Sequence, residues 1–194
     1  MSAEKCDRIH RLRNDKDKTL VITAHRLLYY ALQSTYCVQP DAGDWGTGWH
    51  GKPYLKNAPH IHCNLSHSGS VAMCALHKSP VGVDVEQIKS IEDGIAQRFM
   101  SKEELAMLEK TSDKPGMFYK IWTLKEAYVK YCGRGLGAAL SKLTIYPDEE
   151  RIKSSVRGCE FALIDTLPGY QAAVCASDCS CSIEWVNYGL LDVL

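Results

Sequence analysis

The stretch FYKIWTLKEAYVKYCGRGL, residues 118–136, determines how the rest of the chain is arranged. Its apolar residues recur at three- and four-residue spacing, which predicts an amphipathic helix. Pro115 stands just ahead of the stretch, and Gly133 lies where a left-handed residue commonly ends a helix. Three charged side chains project from adjoining faces of this mostly apolar cylinder: Lys125, Glu126 and Lys130. Taken alone, they describe a half-buried core helix with an i,i+4 ion pair worth ~0.3–0.5 kcal/mol.

A second stretch, VGVDVE at residues 81–86, gives these charges a chemical context. Alternate side chains of a strand share a face, so the three valines face a core and Asp84 and Glu86 stand roughly 6.5–7 Å apart on the other face. Gly82 beside them leaves room for a ligand. A third carboxylate, Glu126, from a helix packed across the sheet would complete a cluster of oxygen ligands that suits Mg²⁺. The pattern therefore predicts a magnesium site.

The motif GVDVE, followed by W-T-x-K-E-A-x-x-K-x-x-G-x-G-L at residues 122–136, resembles the paired signature of the surfactin-type 4′-phosphopantetheinyl transferases. Gly51-Lys52-Pro53 and NLSHSG at residues 64–69 resemble two further motifs of that family, in its order and with similar spacing. PGYQAAVCA, near the end of the chain, also resembles a family strand. The resemblance implies an Mg²⁺-dependent enzyme that moves the phosphopantetheine arm of coenzyme A onto a serine hydroxyl of an apo acyl, peptidyl or polyketide carrier protein, releasing adenosine 3′,5′-bisphosphate.

The resemblance also implies an α+β fold of two similar halves, each a helix plus an antiparallel sheet, related as a fused dimer with the active site in the cleft between them. The predicted order of elements is consistent with two similar halves, because a long helix followed by strands is predicted twice, near residues 18–86 and 117–188. The halves are expected at residues 1–90 and 91–194. A helix is predicted at 18–33, and strands at 60–65, 71–76, 81–86, 143–146, 152–157, 160–165, 170–176 and 183–188. The second and third of these strands are expected to form a hairpin.

Phosphate-binding residues are carried over from the family motif by motif. Lys5 and Lys52 are implied to contact coenzyme A phosphates, Ser66 and His67 to hold its 3′-phosphate, and Lys130 to pair with a phosphate oxygen. An exposed loop lysine and turn-capping hydroxyls are the structural alternatives.

A base must take the serine proton, and two residues are candidates. Glu104 follows Ser101 at capping-box spacing, which is a sufficient structural explanation for it. The family nevertheless has a glutamate at the corresponding place. Lys125 could act only if burial or nearby positive charge lowered its pKa, whereas a glutamate is deprotonated without such help. This favours Glu104 and leaves Lys125 open.

Composition limits the remaining function classes. Lysine plus arginine equals aspartate plus glutamate at 23 each, which gives no basic field for nucleic acid. Apolar runs fall short of the ~18 residues that span a bilayer, and the polar start does not resemble a signal peptide. Nine cysteines without a CxxC pair are expected to be reduced. We expect a cytoplasmic enzyme without membrane or nucleic-acid partners, and we expect it to be a monomer. A non-catalytic coenzyme A-binding or nucleotide-binding module and a structural α+β domain are the alternatives.

Overall fold

The computed structural model describes residues 9–48, 52–133, 140–147, 152–165, 167–187 and 189. The candidate residue Lys5 and Gly51 of the GKP motif lie outside these ranges. Within them the helices are α1 (Asp15–Tyr36), α2 (Ile95–Phe99), α3 (Lys102–Lys110) and α4 (Lys114–Cys132). The strands are β1 (Trp45–Thr47), β2 (Pro53–Leu55), β3 (His62–Ser68), β4 (Val71–His77), β5 (Val81–Gln87), β6 (Ile145–Tyr146), β7 (Lys153–Ser154), β8 (Glu160–Ile164) and β9 (Tyr170–Ala176). None of the described helices is long and apolar enough to cross a bilayer.

Helix α1 covers the hairpin formed by β3 and β4. It begins where the Asn14 side chain accepts a hydrogen bond from the Lys16 amide, and it ends at Cys37 in the left-handed conformation. Its buried Leu28 and Leu32 share an apolar cluster with Cys63 of β3. The predicted helix at 18–33 is thus confirmed and is three residues longer at each end.

Strand β5 is hydrogen-bonded to β9, near the far end of the described chain. The two run antiparallel over seven residue pairs, from Val81 opposite Ala176 to Gln87 opposite Tyr170, and β8 flanks β9 in the same sheet. The predicted hairpin between 71–76 and 81–86 is therefore wrong. The hairpin is β3–β4, because Gly69 adopts φ 62° and makes the tight turn there.

Helix α4 lies across β5 and β9 and forms the centre of the fold. Asp113 caps it by accepting a hydrogen bond from the Gly116 amide, so it begins four residues before the predicted start at 118. Gly133 ends it with φ 64°, as predicted. Leu124 and Ala127 pack in one apolar cluster with alanine and cysteine side chains of β9.

The close approach of α4 to β5 depends on Gly82. A Cβ atom at this position would overlap the backbone carbonyl of Ala127 and the backbone amide of Tyr131. The expectation that Gly82 leaves room for a ligand is wrong, since the helix backbone fills that room.

The C-terminal strands agree with the sequence pattern only in part. The strands predicted at 160–165 and 170–176 are confirmed as β8 and β9, while those at 143–146 and 152–157 shrink to the two-residue strands β6 and β7. Residues 181–187 have no regular secondary structure, so the strand predicted at 183–188 is absent from its described part. Trp185 there is 61% exposed, and an alternating pattern without a buried face is not enough to hold a strand. The architecture is the predicted α+β class.

Candidate active site

Strand β5 and helix α4 bring together the carboxylates that the sequence singled out. Asp84 is 4% exposed, and its Oδ1 accepts hydrogen bonds from Lys130 Nζ at 2.7 Å and from Ser66 Oγ at 2.9 Å. Glu126 is 8% exposed on the helix face above the strand. Asp84 Oδ2 and Glu126 Oε1 are buried with no hydrogen-bond partner among the described residues. Such orphaned carboxylate oxygens are costly unless another group binds them.

The electrostatics of the three carboxylates reflect their burial and their mutual repulsion. Burial, followed by repulsion from Asp84, raises the pKa of Glu126 to about 7. Burial raises the pKa of Asp84 although Lys130 opposes the shift, and burial raises that of Glu86 although hydrogen bonds from Ser68 and Trp122 oppose it. A cation placed among these groups would remove the repulsion that disfavours their charged forms.

As the side chains stand, no group of three or more His, Cys, Asp or Glu residues in the described part of the chain is arranged to hold a metal ion. The ammonium of Lys130 already binds one oxygen of Asp84. The donor set nevertheless fits a hard cation, because the oxygens of Asp84 and Glu126 without partners are of the type that Mg²⁺ prefers.

Lys130 uses all three of its donors inside the protein. Besides Asp84, its Nζ donates to Ser66 Oγ at 2.9 Å and to the Val83 carbonyl at 2.9 Å. Its side chain is 26% exposed, so the ammonium lies at the border of the cleft. Pairing with a phosphate would require it to exchange one of these partners.

Lys52 of the GKP motif points into the protein and not toward solvent. Its Nζ donates to the carbonyls of Val81 at 2.9 Å and of Lys130 at 2.7 Å, and burial lowers the pKa of this ammonium. It thereby adds a donor to a carbonyl in the last turn of α4 that also accepts a hydrogen bond from the capping Gly133 amide at 3.3 Å. In this arrangement Lys52 joins α4 to the start of β5.

Ser66 and His67 point to opposite faces of β3, since successive residues of a strand alternate. Ser66 is buried against Asp84, whereas His67 is exposed. Partial desolvation of the imidazole lowers the pKa of His67, the charge of Lys130 adds to this shift, and Asp17 of α1 opposes it. Of the two, His67 has the side chain that a ligand could approach.

The two candidate bases form one fully buried pair. Lys125 Nζ lies 2.5 Å from Glu104 Oε2, both side chains are 1% exposed or less, and burial lowers the pKa of Lys125. Glu104 also accepts hydrogen bonds from the amides of Ser101 at 2.7 Å and Ile145 at 2.8 Å. Lys125 donates in addition to the carbonyls of Phe99 and Leu140. The predicted capping box is confirmed, and the pair ties α2, α3, α4 and β6 together.

Sequence reasoning missed Ser68 and Trp122 as neighbours of the carboxylates. Ser68 Oγ donates to Glu86 Oε2 at 2.7 Å, and the indole of Trp122 also donates to Glu86. The signal for Ser68 was its position two residues after Ser66, which places both hydroxyls on the same strand face.

A cluster of buried carboxylates with shifted pKa values, bordered by a lysine and held between a strand and a helix, is the kind of site found in enzymes that act on charged substrates. A family model described as the 4′-phosphopantetheinyl transferase superfamily matches residues 80–175, which contain the whole cluster.

Similarity to two named relatives covers about 90% of this chain. The 4′-phosphopantetheinyl transferase Sfp of Bacillus subtilis strain 168 is 30% identical over 184 residues, 91% of this chain and 82% of that protein. The 4′-phosphopantetheinyl transferase psf-1 of Bacillus pumilus is 31% identical over 182 residues, 90% of this chain and 78% of that protein. The holo-[acyl-carrier-protein] synthase structure from Neisseria meningitidis is 18% identical, with a TM-score of 0.43 over 50% of this chain and 94% of that one. The chain belongs to the 4′-phosphopantetheinyl transferase family and is a transferase of that kind.

Proposed function

We propose that this chain transfers the 4′-phosphopantetheine arm of coenzyme A to a serine hydroxyl of an apo carrier protein, with Mg²⁺ held by Asp84, Glu86 and Glu126. The observation that carries the proposal is the carboxylate cluster between β5 and α4, with two buried oxygens that lack a partner in the described part of the chain. Membership of the family supports the reaction class. Because both β5 and α4 come from one chain, we propose that the enzyme acts as a monomer.

The reaction requires positioning and charge neutralisation more than covalent catalysis. The serine oxygen bonds to the β-phosphorus of coenzyme A, the bond from that phosphorus to the bridging oxygen breaks, and adenosine 3′,5′-bisphosphate leaves. When bound, Mg²⁺ supplies neutralisation of the pyrophosphate charge. Lys130 exchanges its bond to Asp84 for a phosphate oxygen and brings a second positive charge to the same group.

The serine proton needs an acceptor within reach of the cleft. Every oxygen of Glu104 and the ammonium of Lys125 are committed to partners in the interior, so we propose that this pair maintains structure and does not take the proton. Glu126 Oε1 is assigned to the cation, so we propose that a water molecule in the cleft accepts the serine proton.

The reaction class is tested by mass spectrometry of apo carrier proteins of the acyl, peptidyl and polyketide types incubated with the chain, coenzyme A and Mg²⁺. We expect at least one carrier to gain the mass of one phosphopantetheine arm. Reactions without coenzyme A, and reactions with a carrier whose acceptor serine is replaced by alanine, are the controls. Binding of coenzyme A without modification of any carrier type would instead indicate a non-catalytic coenzyme A-binding module.

His67 is proposed to donate to the 3′-phosphate of coenzyme A, a group remote from the reacting phosphorus. His67→Ala should raise the KM for coenzyme A by about 10- to 100-fold, the value of a hydrogen bond to a charged group, and leave kcat unchanged. The penalty should shrink when 3′-dephospho-coenzyme A is the substrate, because the group that His67 contacts is then missing. His60→Ala, at an exposed turn of the same segment, is the control. An equal penalty with both substrates would exclude this role.

A further inference from the structure

One edge of β5 is occupied by side chains instead of a neighbouring strand. In an antiparallel pair, alternate residues direct their backbone groups to the partner strand, and the residues between them face the opposite edge. On the edge away from β9, the amides of Val83, Val85 and Gln87 donate to side chains of β3. The acceptors are Asn64 Oδ1 at 2.9 Å, Ser66 Oγ at 3.3 Å and Ser68 Oγ at 3.1 Å.

We call this row of acceptors, Asn64, Ser66 and Ser68, the side-chain ladder. It replaces the backbone hydrogen bonds that would otherwise join the β3–β4 hairpin to the β5–β9–β8 sheet. The carbonyls on the same edge are satisfied by lysines, Val81 by Lys52 and Val83 by Lys130. The GKP motif, the NLSHSG motif and the helix motif at residues 122–136 therefore all place side chains on this one edge of β5.

Two of the three rungs also bind a carboxylate. Ser66 Oγ donates to Asp84 at 2.9 Å and Ser68 Oγ donates to Glu86 at 2.7 Å. A serine hydroxyl can donate one hydrogen bond. Each serine therefore accepts a hydrogen bond from a β5 amide and donates its own to the carboxylate one residue earlier on β5. Asn64 accepts from the Val83 amide in the same way, and within the described part of the chain no hydrogen bond joins its side chain to a carboxylate.

We propose that Ser68 is a positioning residue for the metal ligand Glu86, and that Ser66 has the same role for Asp84. Each hydroxyl holds one carboxylate oxygen against the strand edge and leaves the other oxygen for the cation, as the free Oδ2 of Asp84 illustrates. Because the hydroxyls are themselves fixed by backbone amides of β5, the orientation of the carboxylates depends on the strand and not on flexible side chains. This inference rests on the proposed three-carboxylate site.

The test compares Ser68→Ala with Asn64→Ala in the full chain, using two measurements that do not depend on turnover. Amide hydrogen exchange measures whether the hydrogen bonds from β5 amides to these side chains are formed. Ser68→Ala should reduce the exchange protection of the Gln87 amide, and Asn64→Ala that of the Val83 amide. Binding of Mn²⁺, followed by its electron paramagnetic resonance signal, reports the site. Ser68→Ala should bind Mn²⁺ about 10-fold or more weakly, a usual cost of removing a hydrogen bond to a metal ligand. Asn64→Ala should bind it like the unmodified chain, and Ser68→Thr should retain affinity because it keeps the hydroxyl.

Equal weakening of Mn²⁺ binding by both alanine variants would mean that the ladder acts through strand stability alone, and it would overturn the inference. Unchanged binding in Ser68→Ala would overturn it as well. If the unmodified chain does not bind Mn²⁺, or binds it equally well after Glu126→Gln, the proposed carboxylate site is refuted, and with it the basis of this inference. Ser68→Cys, of similar size but with a weak donor, takes the place of Ser68→Ala if that variant does not fold.

Discussion

Replacing Glu126 by glutamine is expected to abolish transfer while the protein stays as stable as before or becomes more stable. Loss of one charged group from the cation site should remove several kcal/mol of transition-state stabilisation, or about 10³-fold in kcat/KM. Stability should not fall, because Glu126 Oε1 has no partner among the residues that the structure describes and the charge of this side chain is repelled by Asp84. Opposite effects on activity and stability are what distinguish a functional carboxylate from a structural one.

The measurement combines steady-state transfer to a carrier with thermal unfolding of the free enzyme. Glu109→Gln, which changes an exposed glutamate of α3, is the matched control and should alter neither quantity. Near-normal turnover of folded Glu126→Gln at saturating Mg²⁺ would refute the three-carboxylate site. A large loss of stability would show that Glu126 has a structural partner.

Replacing Lys125 by methionine is expected to destabilise the fold by about 3–5 kcal/mol, since it leaves the buried charge of Glu104 without its partner. The ammonium also satisfies the carbonyls of Phe99 and Leu140, which methionine cannot do. Adding Glu104→Gln to the Lys125→Met variant removes the uncompensated charge, so part of the stability should return. A coupling free energy of about 1–3 kcal/mol between the two positions is the expected result of this double-mutant cycle.

Denaturant unfolding gives the free energies of unfolding for the double-mutant cycle. Turnover of the Glu104→Gln single variant then distinguishes a structural role of Glu104 from a catalytic one. The folded fraction of Glu104→Gln should keep its turnover within about tenfold. A general base would instead lose about 10²–10⁴-fold on the same change. Loss of that size with unchanged stability would return the base assignment to Glu104.

The parts of the fold that sequence periodicity could predict are those governed by local rules. The burial of alternate valines in β5, the Gly133 cap of α4 and the capping box at Ser101 each follow from residues within a few positions of one another. Pairing of β5 with β9 is non-local, and a four-residue connection to β4 gave a plausible but incorrect alternative. The division at residue 90 stays a prediction.

The sequence predicts the positions of the carboxylates in the site better than those of the basic residues. Strand geometry and helix spacing determine where Asp84 and Glu126 project, because short side chains follow the backbone. Lysine stems are long, so a motif does not reveal that the ammonium of Lys52 turns inward to two carbonyls. The family resemblance implies that Ser66 and His67 hold the same phosphate, and sequence periodicity predicts that the strand ends before them at residue 65. The strand continues to Ser68, and the alternation separates the two side chains.

The pairing of β5 with β9 also affects synthesis of the protein. Ribosomes add about 5–20 residues per second, so the strand that carries Asp84 and Glu86 emerges on the order of 5–20 s before its hydrogen-bonding partner. During that interval the edge destined for β9 is a valine-rich template onto which other nascent chains could add a strand. Two negative charges within the strand oppose such aggregation, in the manner of gatekeeper residues. We therefore expect the carboxylates proposed to hold the cation to disfavour strand addition to the unfinished chain as well.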